Sequence, residues 1–252
     1  MMAGLVPIGL IFAFFITAVL YAAVGFGGGS TYAALLALSG LDYRLLPVLA
    51  LACNIVVVAG SSVRFARAKI TPWRGTLTLT ALAAPAALLG GLTPIGEASF
   101  MILLGASLVL TGATMILPVN PKSDASPNAM AKLVPIVAVP LGYLAGLVGI
   151  GGGIFLAPLL HMTHWNNARA IASTASIFIL VNSLFGLTGQ LLKNGLGLLS
   201  GAVSGGLALI IAVAIGGQIG SLIAVKWLPL RWIRWLTAAL VTIVGARLLI
   251  GV

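Results

Sequence analysis

The chain of 252 residues is 61% hydrophobic and only 6% charged, with a mean hydropathy of +1.21. A soluble domain carries about a quarter charged residues, so this composition excludes one and requires an integral membrane protein. The net charge of +10 does not mark a nucleic-acid binder, because the 13 Lys and Arg residues fall between or at the ends of apolar segments, where topology signals sit.

Taken in chain order, the apolar segments predict helices over about 5–24, 30–39, 46–63, 75–95 and 98–117. A second set follows over about 133–148, 153–162, 170–190, 198–224 and 233–250. Runs of about 20 residues cross ~30 Å of hydrocarbon as helix. They are continuously apolar rather than alternating, which excludes a transmembrane β-barrel. The expected class is an all-α polytopic membrane protein. The pieces at 30–39 and 153–162 reach only ~15 Å and cannot span alone. The opening MMAGLVPIGLIFAFF has no basic region before its apolar run, so no cleaved signal peptide is expected. A single cysteine, Cys53, excludes an intrachain disulfide framework.

One tract occurs twice. VGFGGGST (Val24 to Thr31) returns as VGIGGGIF (Val148 to Phe155). Gly25 matches Gly149 at a separation of 124, Arg44 matches Arg169 at 125, and Gly60 matches Gly186 at 126. Gly90 and Gly91 match Gly216 and Gly217, also at 126. The common order and spacing predict a duplicated unit, 1–118 and 133–252, joined by the polar linker 119–132.

Charge then sets the expected orientation. The link holding Arg64, Arg67, Lys69 and Arg74 belongs in the cytoplasm, the turn at Glu97 outside, and the linker with Lys122 and Lys132 inside. If each Gly tract is the tip of a hairpin that enters and returns on one side, the second half is inverted. Arg169, Lys226, Arg231 and Arg234 then also fall inside, so ten of the thirteen basic residues are cytoplasmic. Only Arg44, Lys193 and Arg247 lie outside. The expectation is two inverted repeats in a bacterial inner membrane, each with a re-entrant hairpin and three spans, both termini outside.

Non-helical backbone survives at membrane depth only when it is buried in protein or lines a watery cavity. Two glycine tips meeting near the midplane follow the plan of secondary transporters, and the helix starts at Gly28 to Ser30 and Gly152 to Ile154 attract anions. Packing is the better reading for the small-residue pairs Gly142/Gly146, Gly201/Gly205 and Gly216/Gly220. All three acids, Asp42, Glu97 and Asp124, fall in loops or at helix ends, so an anionic substrate fits better than a cation or a carboxylate proton relay. Asn54, Asn182 and Gln218 lie within apolar spans, as do Ser61, Ser62, Ser173, Thr174 and Ser176. Such groups either complete an oxyanion's coordination or hydrogen-bond between helices. Phe26, Tyr32, Phe155 and Phe178 near the tips pack either on an organic tail or in the core. His161 and His164 lack an acid or thiol partner for a metal, and Ser107 has no embedded base that would make it a nucleophile. Trp227, Trp232 and Trp235 beside Lys226, Arg231 and Arg234 form an interfacial anchor.

The stretches VGFGGGS, VGIGGGIFLAPLL and GGQIGS (Gly216 to Ser221) resemble the TauE/SafE family of bacterial transporters, and the likeness covers essentially the whole chain. The resemblance implies a permease, not an enzyme, moving sulfite, sulfoacetate or other organosulfonates, aromatic ones included. It carries the site to Gly25, Gly27, Gly28, Gly29, Ser30, Gly149, Gly151, Gly152, Gly153 and Ile154. Ile154 stands where the first tract has Ser30, so the two cradles cannot bind identically. The expected partners are a small anion and membrane lipid, with no nucleic acid, cofactor or metal. A homo-oligomer is left open, because small-residue pairs serve packing within and between chains alike. A passive anion channel is the rival reading, and an intramembrane enzyme the weaker one.

Overall fold

A computed structural model describes residues 7–24, 27–116, 129–223 and 230–251. Those residues form ten α-helices and no strand. The helices are α1 (Ile8–Val24), α2 (Gly29–Leu38), α3 (Leu45–Arg67), α4 (Trp73–Leu92) and α5 (Glu97–Ile116). Then come α6 (Val134–Val148), α7 (Gly153–Met162), α8 (Ala168–Asn194), α9 (Leu196–Ile223) and α10 (Leu230–Ile250). Each segment expected from hydropathy is a helix, and the differences lie at the ends. α3 runs on to Arg67 because Arg64 and Arg67 in its last turn complement the helix dipole. α8 starts where Asn167 accepts the Ala170 backbone N–H at 2.9 Å and stops at Gly195, whose φ of +79° breaks the helix. Gly25, the residues 117–128 that hold most of the linker, Lys226 and Trp227 lie outside the described residues.

Five helical stretches are long and apolar enough to cross a membrane: α3, α4, α5, α8 and Met130–Val148, which ends as α6. The chain is thus an all-helical polytopic membrane protein. α2 and α7, ten residues each, are the short pieces that follow the glycine tracts.

α3 and α8 pack on each other at the centre. Leu51 lies beside Gly186, and Thr71, just past α3, hydrogen-bonds Ser173 near the start of α8 at 2.6 Å. The two helices therefore run antiparallel. α5 and α10 do the same, with Gly105 against Gly245 and Leu249, and Gly112 against Ala238 and Thr242. α4 runs parallel to α6, where Gly142 faces Ala83 and Gly146 faces Ala87. It also runs parallel to α8, from the Thr76–Thr174 hydroxyl pair at 2.9 Å to Gly91 against Gly186 and Gly189. α1 and α9 are parallel, with Gly216 against Phe15 and Ala18 and Gly220 against Val19. Side chains on Gly142, Gly146, Gly216 or Gly220 would land on backbone carbonyls of the neighbouring helix, so these glycines do serve close packing.

Candidate functional site

The two glycine tracts meet against the middle of α3 and α8. In the first, Gly27 and Gly28 follow α1 and lead into α2. In the second, Gly149, Ile150, Gly151 and Gly152 join α6 to α7. Gly149, Gly151 and Gly152 have φ of +86°, +82° and +74°, a region closed to most side chains. This turn is what lets α7 leave in a new direction.

Asn54 of α3 is wedged between the tracts. Its amide nitrogen donates to the Ile150 carbonyl at 3.3 Å. A Cβ on Gly27 would stand 2.7 Å from Asn54 Oδ1, and one on Gly151 2.7 Å from Asn54 Nδ2. On Gly29 it would strike both the Asn54 amide and the Ile150 carbonyl. Ile179 of α8 touches Gly27, Gly151 and Gly153. Gly27 and Gly29 precede Gly151 and Gly153 by 124 residues, and Asn54 precedes Ile179 by 125. The contacts of Asn54 and Ile179 are therefore the same set with the halves exchanged.

A cavity of about 10 Å³ lies between the tips, lined by Tyr21, Gly27, Gly28, Gly29, Ser30, Ile150, Ile154 and Ile179. That volume holds about one water. Its hydrogen-bonding groups are incompletely used. Neither α2 nor α7 has a side-chain cap, and the first backbone N–H groups of a helix have no partner within it. Ser30 Oγ, Asn54 Oδ1 and Ser183 Oγ are buried with no hydrogen-bond partner. Ser183 Oγ would lie 3.2 Å from a Cβ on Gly151, so all three border the tips. Buried polar atoms are ordinarily paired, and a group of orphans at one place calls for an explanation. Tyr21 is paired, its hydroxyl to Thr31 Oγ1 at 2.9 Å, which holds the end of α1 to the start of α2.

Most residues expected at the site gather here. Gly27, Gly28, Gly29, Ser30 and Asn54 come from one half, and Gly151, Gly152, Gly153 and Ile154 from the other. Gly149 sits one step back, with Pro47 Cα 2.5 Å from where its Cβ would be. Gly25 lies outside the described residues. Asn182 is buried on α8 beside Ser183, and neither its oxygen nor its nitrogen has a partner. Gln218 is exposed on α9 near Gly60 of α3, six residues and ~9 Å along the helix from Asn54.

Three further features were not singled out from sequence: Ser183, the Ile150 carbonyl and the Tyr21–Thr31 pair. Ser183 is four residues after Ile179, one helical turn, but that signal needs the facing tip to be known. Ser173 and Thr174 bond to Thr71 and Thr76 across the bundle, as packing hydroxyls do, and Ser61 bonds back to the Val58 carbonyl of its own helix. Tyr32 and Phe178 are fully buried, and Tyr32 stacks on Phe14 with ring centroids 4.8 Å apart. They back the tips as core, and the Tyr32 hydroxyl, on the ring that lies against Gly28, is a further buried polar atom without a partner. No cluster of three or more metal-ligating side chains occurs among the described residues.

The Sulfite exporter TauE/SafE family matches residues 10–248. The chain is 34% identical to a probable membrane transporter protein, y4hK, of Sinorhizobium fredii, over 96% of this chain and 98% of that one. It is 28% identical to the probable membrane transporter protein MJ0441 of Methanocaldococcus jannaschii, over 96% of this chain and 94% of that one. No solved structure matches the chain.

Proposed function

The chain belongs to the TauE/SafE family of membrane transporters, and from that premise we propose that it is a permease for a sulfur oxyanion, working by alternating access. The substrate class is sulfite or an organosulfonate such as sulfoacetate or an aromatic sulfonate. The name of the matching family and the absence of any acid among the residues lining the tips support that class. The observation that carries the reading is the meeting of two uncapped helix starts beside two unpartnered buried serine hydroxyls, Ser30 Oγ and Ser183 Oγ, both able to donate. Backbone N–H groups and the positive dipole ends of α2 and α7 favour negative charge, the Ser30 and Ser183 hydroxyls can donate, and the Asn54 amide keeps one N–H beyond the one given to Ile150. Gln218 stands apart from this set, and Asn182, a buried amide on α8, is not among the side chains that crowd the tip glycines and is left out of it.

The two halves are inverted repeats in this proposal. Equivalent helices pack antiparallel, α3 on α8 and α5 on α10, as an axis in the membrane plane requires. α6 and α8 both run parallel to α4, so α7 has to bring the chain back to the side from which α6 entered. That supports a re-entrant hairpin at each tract. The positive-inside count then places both termini outside a bacterial inner membrane. A cysteine placed in the 64–74 link is expected to be shielded from impermeant reagents added to intact cells, and labelling there would overturn this topology.

About 10 Å³ cannot hold an oxyanion of four or more heavy atoms, so the tips have to part for a substrate to enter. Such a closed centre fits alternating access better than an open anion channel. The first test is thermal stabilisation of the purified protein by sulfite, sulfate, sulfoacetate, taurine, toluenesulfonate and matched carboxylates. A ligand at a hundredfold excess over its dissociation constant stabilises the folded state by ~2.7 kcal/mol. A shift with one sulfonate and not with its carboxylate twin names the substrate. No shift with any of them, in a folded sample, would sink the sulfonate reading.

A further inference from the structure

A second cavity, of about 170 Å³, opens where the start of α3 meets the end of α8. Its size is of the order of the ~150 Å³ that accepts a benzene-sized ligand. The walls carry two cations, Arg44 and Lys193, and no acid. Antiparallel packing of α3 on α8 explains the pairing, because it brings the first residue before one helix to the last turn of the other. The two charges stand on separate repeats, so neither half could form this mouth alone.

The cations are held in different ways. Arg44 is exposed and lies over the Tyr43 ring, its Cζ 5.6 Å from the centroid, a cation–π distance. Its Nε donates to the Tyr43 hydroxyl at 3.4 Å, which pushes the guanidinium pKa further up from its already high ordinary value. Asp42 accepts the Arg44 backbone N–H at 2.9 Å, and its charge acts on the Arg44 guanidinium and offsets part of that cation's field, so Lys193 is the less compensated of the two. Lys193 is half-buried and donates to the Thr93 carbonyl at 3.2 Å, leaving two of its three N–H groups. Between the charges the wall is apolar, from Ile95, Phe100 and Leu147.

The floor of this cavity is the back of the second glycine tract. Pro47, a lining residue, presses its Cα against Gly149. Gln190, another, donates to the carbonyls of Gly146 and Leu147 at 3.0 and 3.2 Å, the last turn of α6 before that tract. A ligand seated here touches the residues that fix the tip.

We propose that this cavity is a vestibule that recruits the oxyanion before it reaches the tips, with Arg44 and Lys193 taking its charged end and the Ile95–Phe100–Leu147 wall its apolar tail. The proposal rests on the anion-permease reading given above. It assigns Arg44 and Lys193 to substrate capture rather than to membrane orientation. Two cations at a mouth with low-dielectric walls raise the local anion concentration and exclude cations.

The test uses the purified full-length protein with a reporter cysteine, Ile95→Cys, and with Pro94→Cys as a second reporter position. Cys53 is fully buried, so the parent supplies the background. Modification rates are measured with an anionic and a cationic methanethiosulfonate of similar size. Replacing both cations, Arg44→Gln with Lys193→Gln, is expected to lower the anionic-to-cationic rate ratio about tenfold at low salt, and less at high salt, where charges are screened. Toluenesulfonate is expected to slow the anionic reagent when both cations are present and not when both are replaced. The proposal requires both results, and the absence of either overturns it. Transport plays no part in these rates, whereas failure of the sulfonate panel on the parent protein would refute the permease reading itself.

Discussion

The two glycine tips share a motif but need their glycines for different reasons. In the first tip Gly28 has an ordinary φ of −107°, and no described residue of the tract is left-handed. Gly27 and Gly29 are required there because Asn54 and the Ile150 carbonyl occupy the space of a side chain. In the second tip the backbone itself is left-handed at Gly149, Gly151 and Gly152. Two matched positions also differ in polarity. Ser30 and Asn54 stand on the first half where the second has Ile154 and Ile179. At these two matched positions the first half supplies a polar jaw and the second an apolar one, with Ser183 of α8 the second half's own polar group at the tips.

The largest effect expected from this contrast is on stability. Gly149→Ala adds a side chain at φ +86° and drives it against Pro47. Left-handed strain of ~1–2 kcal/mol and overpacking of ~1–3 kcal/mol together predict a loss of about 3 kcal/mol. Gly28→Ala first meets side chains, the Tyr32 ring at 2.9 Å and the Thr17 methyl at 3.0 Å, and is expected to lose about 1 kcal/mol. Thermal unfolding of both variants in one detergent checks the difference, and equal losses would break the distinction between the tips.

A smaller but more specific effect is expected on transport. Asn54→Leu removes the amide between the tips and is expected to slow transport about 10- to 100-fold, the worth of a hydrogen bond to a charged group. Ile179→Leu, at the equivalent place in the other half, is expected to stay within about threefold, because only packing changes. Comparable losses in the two folded variants would show that the polar jaw has no special part.

The smallest effect sharpens the comparison instead. Ile154→Ser restores a hydroxyl opposite Ser30, and one added hydrogen bond is worth ~0.5–1.5 kcal/mol. Competition assays are expected to move the preference about two- to tenfold toward sulfite over sulfonates with an apolar tail. A shift toward the tailed substrates would reverse the roles assigned to the jaws.

The primary structure alone determined that this is a helical membrane protein, where the ten helices of its described residues lie, and which glycine tracts break them. Hydropathy over 10 to 20 residues and the backbone needs of glycine are local properties, so they can be read along a single chain. The mismatch of Ser30 with Ile154 was legible for the same reason. What only the tertiary structure decided is which side chains face the tips. Asn54 and Ser183 are joined to the tracts by contacts across 25 or more residues, and an amide in an apolar span looks the same whether it faces a tip or a neighbouring helix. Asn54 and Gln218 were therefore alike in the sequence, and helix packing put one between the tips and the other beside Gly60. The pairing of Arg44 with Lys193 is of the same kind. Each reads as an isolated charge at a helix end, and only the antiparallel contact of α3 with α8 makes them two walls of one cavity.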